Sequence, residues 1–229
     1  MSLALGERLQ RRVLPRTLVA LSSVDTPQRY AAALRRTLGG SGQVRLYVAF
    51  DDPQSAVALL GLRDRVAARK VKLFVEPVVE RGIAGDPAVE AKRRHAVIDA
   101  ARLAERDGLE LARDEPLEAE AAAFLAGWAA SIPDPWTRAS FSAAAIRRLW
   151  LESDRPVSPE DYAGLWRELV GGEPPDQAAE QVGRAERRMR RRGLYDTPIA
   201  VVHGQWFFAH ERLAQIGERL DALGWEASA

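Results

Sequence analysis

Gly193-Leu194-Tyr195-Asp196-Thr197-Pro198-Ile199-Ala200-Val201-Val202-His203-Gly204-Gln205-Trp206-Phe207-Phe208-Ala209-His210-Glu211-Arg212-Leu213 is the stretch whose reading decides the fold. It reads as a turn, a Thr-Pro step, an apolar strand, a tight His-Gly-Gln turn, a second strand and the start of a helix. Proline donates no backbone hydrogen bond, so a sheet tolerates it mainly at the first residue of a strand. An X-Pro bond at such a place is also a candidate for the cis isomer. What faces this step decides what it is for.

Working outward, residues 1–40 read as helical. Thr26-Pro27 is a helix start, with threonine as N-cap and proline in the first turn, and Gly39-Gly40 is the stop. Val44 to Phe50 is a strongly apolar strand-like run, and Asp51-Asp52-Pro53 repeats the start signal. The helix from Pro53 carries Val57, Leu60 and Leu62 and is expected to end near Lys70, before the strand Val71–Val75. Strand, helix and strand with short connections predict a right-handed parallel βαβ unit. Pro77 to Asp86 reads as loop. From Pro87 to Arg192 the chain reads as helices only: Pro87–Asp107, Leu117–Ser131, Trp136–Leu151, Pro159–Val170 and Asp176–Arg192. Strands at 198–203 and 205–208 follow, then a helix from Ala209 to Leu223. The fold class is therefore α/β, βαβ then ββα, interrupted by a large helical insertion. Its parts are an N-terminal helical extension (1–40), a sheet domain (41–80 with 193–229) and an inserted helical domain (81–192).

Composition narrows the function classes. The chain has 229 residues, 47% hydrophobic and 28% charged, which is globular and ample for a core. A formal net charge of +1 gives no global pull toward nucleic acid or an anionic membrane. There is no apolar run long enough to span a bilayer, and Met1–Ser23 does not read as a secretory signal. The absence of cysteine removes disulfides, thiolate nucleophiles and thiolate metal sites together. His95, His203 and His210 lack metal-ligand spacing, so no metal site is expected.

Four pieces carry a family resemblance. They are Tyr47 to Ser55, Lys92 to Leu111, Arg147 through Asp154 to Ser158, and Gly193 to Leu213. In that order, with helices inserted, the chain resembles DsbA-like thioredoxin-fold proteins, in the branch of 2-hydroxychromene-2-carboxylate isomerases and kappa-class glutathione transferases. The resemblance spans about Val44 to Trp225. It implies a thioredoxin-like fold, a cytoplasmic homodimer, a small-molecule substrate and glutathione as cofactor. It implies neither a nucleic-acid nor a membrane partner.

The resemblance also points to residues. Asp52 and Ser55 align with the family's active-site turn and are the candidate catalytic residues. Lys92, Thr197, Pro198, His210 and Glu211 align with positions that hold glutathione. In the redox members a cysteine leads the turn, and in the isomerase branch a serine does. Here Asp52 stands in that place. A helix N-terminus favours an anion, so Asp52 is expected to be ionised, and an ionised carboxylate repels a thiolate. It reads either as the N-cap of its helix or as a cap that also acts as a general base if desolvated. Ser55 reads as an ordinary first-turn hydroxyl or as part of the site. The backbone at Thr197-Pro198 is expected to face the ligand. Glu211 keeps the family's negative charge at the last helix start, or simply complements the helix dipole there.

Other groups read as framework. Lys92, His95, Asp99, Arg102 and Arg106 form one polar helix face, opposite Val97, Ala101 and Ala104. The six arginines of Arg184–Arg192 read as a solvated or acid-paired face, and Trp128, Trp136, Trp150 and Trp166 as packing or, for one or two of them, as the lining of an apolar substrate cleft. Two functions follow: a glutathione-dependent isomerase or transferase on a hydrophobic or aromatic molecule, or a non-catalytic thioredoxin-like protein that binds a peptide or partner in the cleft. Disulfide exchange by the protein's own residues is excluded.

Overall fold

The computed structural model describes residues 26–176 and 179–227. The part of the expected helical extension at 1–25 lies outside them. Helix α1, Thr26–Thr37, leads into strand β1, Gly42–Val48. Helix α2, Pro53–Ala67, then connects to strand β2, Val71–Pro77, which pairs with β1 in parallel. Strands β3, Ile199–Val202, and β4, Gln205–Phe208, complete a four-stranded sheet of order β2-β1-β3-β4. β1 and β3 pair antiparallel, as do β3 and β4. The expected βαβ and ββα halves are thus joined through β1 in the thioredoxin-like arrangement.

Alternation along β1 explains why this strand is central. Val44, Leu46 and Val48 face one layer, where they join α2 and the final helix through Leu59, Leu62, Ile216 and Leu220. Tyr47 and Ala49 face the other layer and pack with Ala185 and Met189 of helix α7 (Ala179–Arg191) and with Ile199 and Val201. Each buried Val, Leu, Ile or Met among these contributes roughly 1.5–3 kcal/mol, so β1 is held in the sheet from both faces.

The insertion consists of α3 (Val89–Arg106), α4 (Ala119–Ser131), α5 (Pro135–Arg147), a π-helical turn (Arg148–Glu152), α6 (Pro159–Leu169) and α7. Asp134 caps α5 by accepting from the Thr137 amide at 2.7 Å, with Pro135 in the first turn. Trp128, Phe141 and Trp166 stack edge to face around a shared core. Trp150 is fully buried in the π turn and donates its indole N–H to the Phe50 carbonyl at 2.8 Å. That bond ties the insertion to the end of β1. No helix of the described residues is long and apolar enough to cross a membrane.

Three expectations need correction. Trp136 is 66% exposed and not packing, because it sits in the first turn of α5 at the sheet's edge. The buried stripe of α3 is Val97, Ala100 and Ala104, whereas Ala101 is exposed, because Ala100 and Ala104 close on Val57 of α2. The last helix, α8, runs Leu213–Ala222 and does not open at Ala209. The Ala209 amide donates to the Pro198 carbonyl at 2.9 Å, which holds residues 209–212 in a turn. Glu211 is therefore not a first-turn acid of that helix.

Candidate functional site

Asp52 follows β1 by a short turn and opens α2 as its N-cap. Its backbone is extended, Pro53 follows it, and its Oδ1 accepts the Gln54 amide at 3.1 Å, as an N-cap requires. Its other oxygen accepts from two hydroxyls. Ser55 donates at 2.6 Å and Thr197 at 3.0 Å. Ser55 Oγ is itself fixed by the Ala49 amide at 3.2 Å. The Thr197-Pro198 bond is cis, and the Thr197 hydroxyl lies across from the helix start, on Asp52. One carboxylate thus joins β1, α2 and the turn before β3.

Asp52 is only 4% exposed. Burial pushes its carboxyl pKa up to about 6; Arg81 and the Ser55 and Thr197 hydroxyls pull it down, and neighbouring Asp51 adds to the rise. The helix-terminus argument predicts an anion, and with a pKa of about 6 Asp52 is still mostly ionised at pH 7; what desolvation adds is a proton held much closer to neutrality than an ordinary aspartate holds it.

Arg81 was not singled out in the sequence. It reaches in from the loop after β2 and donates to Asp51 Oδ1 at 2.7 Å, with only 17% and 3% of the two side chains exposed. Burial opposes its charge, but Asp51, Asp52 and Asp196 outweigh that and raise its pKa above the usual arginine value. The other Asp51 oxygen, Oδ2, is buried without a hydrogen-bond partner. The only available signal was the Asp51-Asp52 pair itself, since two adjacent buried acids need a cation.

These groups stand at one wall of a cavity of about 450 Å³ bounded by the start of α2, the loop after β2, α3 and the turn before β3, lined among others by Asp51, Asp52, Arg81, Lys92, Tyr195 and Thr197. Asp52, Thr197 and Lys92 are therefore brought together, with Ser55 beneath Asp52 and Pro198 just behind Thr197. Lys92 is exposed and paired with Asp86. The other cations of the cavity are paired too, Arg93 with Glu118 at 2.9 Å and Arg190 with Glu80 at 3.2 Å.

His210 and Glu211 are not among the lining residues. His210 is buried with Nδ1 unpartnered, and burial keeps its pKa below the usual histidine value against the pull of Glu211, Asp99 and Asp196. Glu211 borders a separate shallow cleft with Trp206 and Phe208. The geometry can hold a small molecule over a buried carboxyl, and it can move a proton there. With no cysteine in the chain it cannot exchange a disulfide.

No protein-family model matches the sequence, and no curated protein does. Solved structures do. A 2-hydroxychromene-2-carboxylate isomerase is similar at 15% identity and a TM-score of 0.65, covering 80% of this chain and 96% of that one. A probable DsbA oxidoreductase from Streptomyces coelicolor is similar at 15% identity and a TM-score of 0.61, covering 82% and 92%. Sheet order, insertion, cis-proline and these similarities agree: the chain has the DsbA-like thioredoxin fold, without its redox cysteines.

Proposed function

We propose that this protein is an isomerase-type enzyme acting on a hydrophobic or aromatic small molecule, and that Asp52 moves the proton. The observation that carries this reading is a buried carboxyl with a pKa near 6 at the wall of a 450 Å³ cavity, held by two hydroxyl donors. A general base works best with a pKa close to the working pH. Ser55 and Thr197 orient the carboxylate, and their hydroxyl hydrogens stabilise it once the substrate proton has been passed on. The apolar part of the cavity, with Val79, Ile83 and Val89, suits a ring or chain.

A transferase reading with glutathione as cofactor is second, favoured by Lys92 and Thr197 on one cavity wall. Three observations oppose it. The cavity's cations already have carboxylate partners, the Thr197 amide is taken by Asp196 Oδ1 at 2.9 Å, and the Asp52 anion repels a thiolate. Proton transfer at Asp52 needs no thiol.

The test is turnover of 2-hydroxychromene-2-carboxylate and a panel of aromatic carboxylates, with and without glutathione. Activity should rise with pH through about 6, and Asp52→Asn should lower kcat by roughly 10²–10⁴-fold with little change in KM. Equal activity of wild type and D52N would sink the role of Asp52, and no turnover or binding across the panel would sink the enzyme reading. Absence of calorimetric binding at millimolar glutathione removes the second reading alone.

A further inference from the structure

The end of the sheet opposite Asp52 has a different chemistry. There Arg35 of α1, Arg45 of β1, Arg192 just past α7 and the His203-Gly204 turn line a pocket of about 160 Å³ with Gln43, Phe74 and Val201. The register of β1 on β3 puts Arg45 opposite Val201, whereas Asp52 lies beyond the other end of β1. The two sites are separate.

We propose that this pocket binds a phosphate-class oxyanion through Arg35, Arg45, Arg192 and the His203-Gly204 turn. Charge is the first argument. Glu76 stands farther along the sheet, opposite Tyr47, and Arg45 and Arg188 both already pair with it. Among the described residues neither Arg35 nor Arg192 has an ion-pair partner. The same helix pairs Arg184 with Glu180 and Arg190 with Glu80, so α7 does not lack for acids elsewhere. Arg35 and Arg192 thus share a concavity with no acid of their own, and an anion between them removes their mutual repulsion.

Shape and donors are the second argument. Guanidinium forks from three elements match the oxygens of a tetrahedral anion, and Arg45 is held in place by stacking on Phe74 at 5.3 Å. The pocket is too small for a drug-sized ligand, whose sites take roughly 300–1,000 Å³. His203 and Gly204 both have positive φ, 46° and 89°, the geometry of a two-residue turn with both residues left-handed, which brings the chain back sharply beside Arg35. His203 Nε2 is buried there without a partner. Burial, then the Arg35 and Arg219 charges, keep the ring below its usual pKa. A bound anion supplies what this nitrogen lacks: a partner for a donated N–H.

Inorganic phosphate is the probe, titrated at fixed ionic strength against chloride, followed by amide shifts of His203 and Gly204 and by thermal melting. Saturable shifts at these residues and a rise in Tm specific to phosphate are expected. The doubly substituted Arg35→Gln, Arg192→Gln protein should bind at least about tenfold more weakly, since charge-assisted hydrogen bonds are lost. D52N should bind phosphate as the wild type does. Phenyl phosphate binding more tightly than phosphate would identify the anion as part of a larger phosphomonoester, and equal binding would identify the free ion. No saturable phosphate response in the wild type, or an unchanged affinity in the double variant, overturns the proposal.

Discussion

The two ends of β1 carry charge in opposite ways. At the end leading to α2, two adjacent acids are buried, and every element around them contributes a donor or a cation: Arg81 from the loop after β2, Thr197 from the turn before β3, Ser55 and the Gln54 amide from α2. Around the first half of β1, Arg35, Arg45 and Arg192 gather in one pocket, and Glu76, opposite Tyr47, is shared by Arg45 and Arg188. At the first end each acid has a cation or donor within the fold, with Asp51 Oδ2 left unpartnered. The second has charge left over. Buried charge is costly unless compensated within the fold, whereas half-exposed cations can leave their compensation to a ligand.

Removing a cation should therefore act in opposite directions at the two ends. The largest effect is expected for Arg81→Ala, which strands the buried Asp51 carboxylate; urea denaturation at pH 7 should show a loss on the order of 3 kcal/mol. A loss below about 0.5 kcal/mol would mean that Asp51 finds other compensation.

Asp52→Asn comes next. The folded-state pKa of Asp52 is raised, so its protonated form is the one the fold prefers. Its contribution is complete below about pH 4 and is lost as pH rises through about 6. The stability of D52N relative to wild type should therefore improve by on the order of 2 kcal/mol between pH 4 and pH 8, measured by paired denaturation curves. A difference that is flat across that range would contradict the burial argument.

Thr197→Val removes one donor from Asp52 and leaves the backbone in place. A loss of about 1 kcal/mol at pH 8 is expected, with the Asp52 titration, followed by carboxyl carbon NMR, moving upward. The smallest effect is at the other end. Arg192→Gln should leave stability within about 0.5 kcal/mol of wild type, unchanged or slightly higher, because it removes repulsion and no ion pair. A marked loss there would show that the two ends are not as different as they look.

The sequence was most legible where a local rule and the tertiary fold agree. Asp52-Pro53 starts a helix by capping chemistry alone, and the run Val44–Phe50 can be buried on both faces only as an inner strand. Thr197-Pro198 stands at the head of β3 because proline has no amide to give the ladder. The arginine-rich helix reads correctly as acid-paired in part, since Arg184–Glu180 is a local pair. It is less legible where the partner is distant. Nothing near Arg81 points to Asp51, thirty residues earlier. Nothing near Arg188 points to Glu76. The choice of Ala100 over Ala101 on α3 is one of helix rotation, set by Val57 on another helix.

What the sequence determined by itself is the order of elements, the absence of thiol chemistry, and a carboxylate where the resembled family puts its reactive group. These are properties of short segments and of composition, and capping, proline chemistry and alternation act over a few residues. The tertiary structure decided what that carboxylate is. It desolvated Asp52, set Ser55 and Thr197 on it, paired Asp51 with Arg81, and left Glu211 outside the cavity. A pKa depends on every charge and dipole within a few ångströms, and those neighbours come from all along the chain.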